Sequence, residues 1–207
     1  FLMIRRPPRS TLPLRLLPYT TLFRSVEAFE LSRVQKAGAK FDPEKTKWFQ
    51  QHYLQQADLE VLTDKFVKVL EDKKVTAERD FAKAVVSLMK ERAVFVQDIW
   101  EQGYFFFISP TSYDPKNAKK AWKEDTSKLM LELVELYKNQ EDFKAEAVQE
   151  RTKAWIGEKE VGFGKVMQPL RLALVGSLQG PDLFVIAEYI GKQDSIARIQ
   201  KAIEVLG

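Results

Sequence analysis

From Val26 onward, apolar residues recur at spacings of three and four between short polar or glycine-containing breaks, the pattern of helices that bury one face. Asp42-Pro43-Glu44 predicts a helix start: Asp can cap, proline suits the first turn, and Glu favours the positive end of the dipole. The helix it opens carries Trp48, Tyr53 and Leu54 among polar residues, as a half-buried helix does. A second helix is expected over 58–70, and over 79–90 Phe81, Ala84, Val85 and Leu88 form one helical stripe. Residues 94–108 are the most apolar region, with Phe105, Phe106 and Phe107 in a row. Periodicity leaves the state of that region open; a buried helix ending near Gly103 is the expectation, with Ser109-Pro110 as the break.

After Asp114-Pro115 one long helix is expected to about Tyr137, with Trp122, Leu129, Leu133 and Leu136 on one side. Further helices are expected over 142–155, 165–175, 181–190 and 193–206, with 156–163 as a polar loop punctuated by glycine. Gly176 and Gly191 fall where helices end, at positions that favour a left-handed backbone. No internal repeat and no strand-rich block interrupts the series. The expected fold class is all-α, subdivided near residue 145.

Composition changes this picture mainly at the amino end. Residues 1–25 hold four of the nine prolines and five arginines (Arg5, Arg6, Arg9, Arg15, Arg24), with no acid and no periodicity. A targeting peptide would share the Arg, Ser and Thr content, but the prolines would interrupt its amphipathic helix. A secretory signal would need a long apolar core, which is missing. The phrases FLMIRRPPRSTL and PYTTLFRS resemble translated sequencing-adapter read-through, so 1–25 is expected to be a non-native extension. The formal charge of +4 comes largely from this stretch: without it, 28 basic residues face 29 acidic ones. Any nucleic-acid reading must therefore rest on local patches. The 45% hydrophobic content suffices for a core, and no run of about 18 apolar residues suggests a membrane span. The lack of cysteine removes disulfides and thiolate metal sites and fits a reducing compartment.

Candidate chemistry is sparse. His52 is the only histidine and lies on a polar helix face, so a solvent-exposed or capping role outweighs a catalytic one. Gly157…Gly162-Phe163-Gly164-Lys165 resembles a phosphate loop only superficially, without its spacing or a leading strand, and an interhelical loop is expected instead. No metal-ligand cluster is visible, and no catalytic residue is expected.

Two separated stretches carry a family resemblance. Residues 36–54, KAGAKFDPEKTKWFQQHYL, are similar to the segment that follows the catalytic domain in bacterial-type glutamyl-tRNA synthetases, and VEAFELSRV over 26–34 resembles the run ahead of it. Residues 164–183, GKVMQPLRLALVGSLQGPDL, resemble the signature of that family's terminal anticodon-binding subdomain. Val175 stands where threonine is common. IGKQDSIARI over 190–199 resembles the family's closing helix. The resemblance covers about 26–207. It implies a carboxy-terminal fragment of a glutamate–tRNA ligase: 26–57 ending the stem-contact region, 58–145 a first helical anticodon-binding subdomain, and 146–207 a second. The HIGH-type and KMSKS-type motifs of the catalytic fold do not occur in the sequence, so the fragment alone is expected to be inactive. ATP and magnesium would belong to the full-length enzyme, with no cofactor in this fragment. The implied partners are tRNA-Glu and the catalytic domain of the same chain. A monomer in the cytoplasm is expected.

The resemblance also assigns residues. Arg171, a lone charge on an apolar helix, is expected to stack on an anticodon base and donate to it in a fork. Gly180 and Pro181 are expected at a helix start whose amides can meet RNA, and Leu183 as an apolar surface for a base. Arg92 falls where the family carries a second anticodon-reading arginine. Lys36, Lys40, Lys45 and Lys47 are candidates for backbone contacts along the tRNA, positioning it without reading sequence. Trp100 and 105–107 could be stacking platforms, but a core role is expected. Rival readings are a helical protein-interaction module without an RNA role, a non-discriminating synthetase charging both tRNA-Glu and tRNA-Gln, and a glutamine-specific relative, which would end in a β-barrel.

Overall fold

The computed structural model describes residues 42–207. The segment 1–25, the run 26–34 and the candidates Lys36 and Lys40 lie outside the described residues. Among the described residues ten α-helices follow one another: α1 (Pro43–Gln56), α2 (Leu59–Asp72), α3 (Arg79–Met89), α4 (Val96–Gly103), α5 (Pro115–Ala121), α6 (Thr126–Lys138), α7 (Ala145–Glu158), α8 (Phe163–Val175), α9 (Leu183–Ile190) and α10 (Lys192–Leu206). A 3-10 turn, Tyr104–Phe106, extends α4, and no strand occurs among the described residues. The fold is all-α, as expected.

Asp caps start three of the helices. The carboxylates of Asp58, Asp114 and Asp182 accept from the second and third amides of α2, α5 and α9, filling donors that a helix start leaves unpaired. Two packing groups result. In the first, α2, α3 and α4 pack on one another; in the second, α6, α8 and α10 form the centre, with α5 on α8 and α9 on α7 and α10. The 3-10 turn meets α9 and so joins the groups. Pro43–Gly207 form one compact unit, and α6 packs on α8 and α10 across residue 145.

The stripe on α3 is broader than expected. Ala82, Val85, Val86 and Met89 are buried, while Phe81, Ala84 and Leu88 are half-buried, because the helix is flanked by both α2 and α4. On α1 only Leu54 is buried, and Trp48 and Tyr53 are exposed. His52 is exposed and stacks on Trp48 with ring centroids 5.5 Å apart. The aromatic run serves the core: Phe105 and Phe106 are buried, and the Phe107 ring sits 5.4 Å from Phe81, 5.8 Å from Phe66 and 6.3 Å from Trp100.

Two expected boundaries are corrected. The long helix after Asp114 is two helices, because Trp122 takes an extended backbone with ψ of 117°. The turn is held by local hydroxyls: the Trp122 indole donates to Ser127 Oγ at 3.2 Å, and the Lys123 amide to Thr126 Oγ1 at 2.9 Å. The loop expected from residue 156 begins later, since α7 continues to Glu158 and buries both Trp155 and Ile156. Gly157 is therefore helical rather than part of a phosphate-type loop.

Candidate nucleic-acid interface

The carboxyl end of α8 is the structural hub of the site. Gly176 ends that helix with φ of 82°, and a Cβ there would lie 3.0 Å from Ser112 O and 3.1 Å from Pro110 Cβ. Four groups secure its last carbonyls. Gly176 N–H donates to Leu172 O, the Asp114 amide to Gly176 O at 3.2 Å, the Tyr104 hydroxyl to Val175 O at 3.4 Å, and Arg198 Nη1 to Leu174 O at 2.9 Å. Arg198 Nη1 also donates to Phe105 O at 2.7 Å. Arg198 is 3% exposed, so one guanidinium on α10 ties the helix end to the 3-10 turn. Burial lowers its pKa, an effect that Asp194 opposes.

From this anchored end the chain runs through 177–182, and two arginines from distant parts of the sequence close on it. Arg92 comes from the turn between α3 and α4. Its amide donates to Met89 O at 3.0 Å, and the Asp98 carboxylate accepts from the amides of Val94 and Phe95 at 2.9 Å, which fixes that turn. Arg92 Nη1 donates to Gly180 O at 3.2 Å. Arg171 projects from α8 between the buried Leu170 and Leu172, and its Nη1 donates to Pro181 O at 2.8 Å. Burial lowers the Arg171 pKa, Asp182 raises it, and the nearby Arg92 lowers it further. An arginine stays charged under such shifts, so two positive charges flank one loop.

Gly180 has φ of 138°, in the region that excludes most L residues, and a Cβ there would lie 3.4 Å from Arg171 Nη1. Glycine serves the backbone conformation here, since a Cβ would meet Arg171 only at ordinary contact distance. Clefts open on both sides of the loop: one of about 210 Å³ lined by Arg92, Tyr104 and Gly180, the other of about 480 Å³ lined by Arg171, Asp182 and Phe163.

Four of the expected residues, Arg92, Arg171, Gly180 and Pro181, thus converge. The helix start that follows the loop is more closely packed than the sequence suggests. Leu183, the first residue of α9, packs mostly into the core at 3% exposure and shows an edge to the larger cleft beside Arg171 and Asp182. The amides expected to meet RNA at that helix start are partly taken, because Asp182 Oδ1 accepts from Phe184 and Val185 at 2.9 and 3.2 Å. Lys45 and Lys47 lie on the first half of α1, exposed, and line neither cleft; Lys47 pairs with Glu44 at 3.1 Å. Arg198 escaped the sequence reading. Its signal was an arginine inside an apolar stripe, since Ser195, Arg198, Ile199 and Ala202 share the buried face of α10.

Fold and loop define an all-helical module organised around a cationic turn. A family profile described as an anticodon binding domain matches residues 44–203, and the chain belongs to that family. Among curated relatives it is 63% identical over 180 residues to the glutamate–tRNA ligase of Christiangramia forsetii and 50% identical over 181 residues to that of Flavobacterium johnsoniae. These matches cover 87% of this chain and 36% of each relative, so the chain spans about a third of their length. Two solved structures are similar. A glutamate tRNA ligase from Elizabethkingia meningosepticum, in complex with its amino acid, superposes with a TM-score of 0.81 at 49% identity, over 86% of this chain and 36% of that one. The glutamate–tRNA synthetase of Elizabethkingia anophelis gives a TM-score of 0.76 at 48% identity, over 85% and 34%.

Proposed function

We propose that this chain recognises the anticodon of tRNA-Glu as the carboxy-terminal part of a glutamate–tRNA ligase, a cytoplasmic, monomeric enzyme that attaches glutamate with ATP and magnesium held in its catalytic domain. The names of the relatives support the activity, and the family match supports the RNA role. One observation carries the assignment of the site: Arg92 and Arg171, 79 residues apart in sequence, meet on the consecutive carbonyls of Gly180 and Pro181. Each uses Nη1 there, and a guanidinium has five N–H donors, so both keep donors and a flat face for a splayed base. In the same reading, Lys36, Lys40, Lys45 and Lys47 position the tRNA through its backbone, 26–57 ends the stem-contact region, and the helices after residue 58 read the loop.

The test is binding of the chain to a tRNA-Glu transcript and to one with altered anticodon bases, across a salt series. The native anticodon should be preferred by about tenfold, the scale of one well-placed pair of base-edge hydrogen bonds. Arg171→Ala should abolish most of that preference while circular dichroism stays helical. Equal binding of both transcripts sinks the assignment. Binding without salt dependence would instead favour a protein-interaction module, the reading suggested by the near-neutral body of the chain. A tRNA-Gln transcript in the same assay separates a discriminating from a non-discriminating enzyme.

A further inference from the structure

The two arginines that meet on the 177–182 loop arrive from different packing groups. Arg92 belongs to the first and Arg171 to the second, and the chain that links the groups, residues 107–114, contains no helix. A site split over two bodies needs their spacing fixed. Within the first group the path from Arg92 is stiff. Asp98 Oδ2 accepts from the amides of Val94 and Phe95, which fastens the Arg92 turn to α4, and α4 runs directly into the 3-10 turn at Tyr104–Phe106. In the second group, Leu174 follows Arg171 by three residues on α8. Phe105 and Leu174 therefore belong to the same two bodies as the two arginines.

One atom joins them. Arg198 Nη1, which carries two N–H bonds, donates to Phe105 O at 2.7 Å and to Leu174 O at 2.9 Å. Other bonds between the groups are longer: Arg92 Nη1 reaches Gly180 O at 3.2 Å from an exposed side chain, and the Tyr104 hydroxyl reaches Val175 O at 3.4 Å. Tyr189 stands 6.2 Å from Phe81 and 5.7 Å from Phe106 between ring centroids, contacts that add apolar area without direction. Arg198 also sits where a charge is costly, in a buried stripe with Ser195, Ile199 and Ala202, and an apolar side chain would bury there more cheaply. A buried charge retained against that cost fits a role in fixing one arrangement of the groups.

We propose that Arg198 is a positioning residue for anticodon reading: by tying Phe105 to Leu174 it sets the spacing between Arg92 and Arg171, while itself buried away from RNA. The proposal rests on the RNA reading of those two arginines. Without the tie the groups sample a range of spacings. Charge attraction to phosphates tolerates that range, whereas hydrogen bonds to base edges, which need both distance and angle, do not. Selectivity is therefore lost before affinity.

The experiment uses the full 207-residue chain, which has no cysteine. Lys68→Cys on α2 and Glu158→Cys on α7, both at exposed positions, place two spin labels whose separation is read by pulsed EPR, one on each group. Arg198→Gln should widen that distance distribution. It should also bring the preference for the native anticodon from about tenfold toward equality, with affinity for the altered transcript kept. Arg198→Lys, a point donor in place of a fork, should fall between Arg198→Gln and the parent in both readings. Tyr137→Phe is the control, since it removes a buried 3.0 Å hydrogen bond with Thr152 Oγ1 that stays inside the second group. It should lower the urea midpoint while width and preference match the parent. Circular dichroism checks that each variant is helical, and if Arg198→Gln does not fold, Arg198→Lys carries the comparison. Folded Arg198 variants that keep the parent's width or its preference would overturn the proposal. So would a Tyr137→Phe protein that loses both, because general loosening would then suffice. If the parent shows no preference, the RNA reading of the loop has failed and this role falls with it; the distance measurement keeps that result apart from a failure of Arg198 to hold the groups.

Discussion

Two groups of cationic side chains in this molecule are held by opposite chemistry. On the α2–α3 surface, Arg79 Nη2 lies 2.7 Å from Glu60 and 2.9 Å from Asp64, and Lys83 also pairs with Glu60. Each positive charge there meets a carboxylate, so the cluster is close to neutral. Around the end of α8, Arg92, Arg171 and Arg198 donate instead to the carbonyls of Gly180, Pro181, Phe105 and Leu174. A carbonyl satisfies an N–H without cancelling the charge behind it. The first arrangement neutralises its cations in direct ion pairs; the second fixes their geometry through carbonyls, with Asp182 and Asp194 acting on Arg171 and Arg198 only from beyond ion-pair distance. A formal charge near zero for the body of the chain hides this difference, because it counts both arrangements alike.

The sharpest way to break the comparison is to remove the arginine that only the second region buries. Arg198→Ala strips the donor from two carbonyls at the junction of α8 and the 3-10 turn. Leaving buried acceptors unpaired costs about 1–3 kcal/mol each, so the loss should be about 4 kcal/mol in urea unfolding. Arg198→Lys supplies one point donor in place of a fork and should recover only part of it. A loss under about 1 kcal/mol would mean that the helix end is held without Arg198.

Gly180 gives the next largest effect. A Cβ at φ of 138° is strained by the backbone conformation, although it would only touch Arg171 Nη1 at 3.4 Å and Phe105 Cζ at 3.6 Å. Gly180→Ala should cost about 2 kcal/mol and loosen the seat of Arg171, so urea unfolding and anticodon preference should weaken together. Gly157 provides the internal control: it is helical, and a Cβ added there would meet nothing within 4 Å. Gly157→Ala should stabilise by about 0.5–1 kcal/mol and leave RNA binding unchanged. If the two glycine variants behaved alike, the conformational argument for the loop would fail.

Much of the fold was legible because helical periodicity is a property of neighbouring residues. Its failures were local too. Trp122 belongs to an apolar stripe, yet the hydroxyls of Thr126 and Ser127 compete for the donors of a continuous helix and break it. The site was legible in a different way. Nothing in the spacing links Arg92 to Gly180, and the family resemblance alone suggested that they share a site. It did not reveal that Asp182 caps α9 and that Leu183 thereby faces the core. Arg198 was missed although its place in a buried stripe is visible in sequence: a charge there must find partners, and the partners lie on two other elements.

The smallest expected effect tests the first region. Arg79→Gln removes a cation from a cluster that is open to solvent, where water and salt already screen each pair. Its urea midpoint should stay within error of the parent, and RNA affinity should not change. The acid side of the cluster supplies a finer probe. Hydrogen bonds from Lys83 and Arg79 hold the Glu60 carboxyl below the usual carboxylate range. A group depressed in the folded state contributes stability above its unfolded pKa and loses it as pH falls through the folded value. The parent should therefore weaken slightly on acidification below the usual carboxylate range. Arg79→Gln with Lys83→Gln should flatten that response without touching the salt slope of RNA binding. If the double variant instead lowers the salt slope, the paired cations of α2 and α3 also meet phosphate, and carboxylate pairing does not separate the two regions.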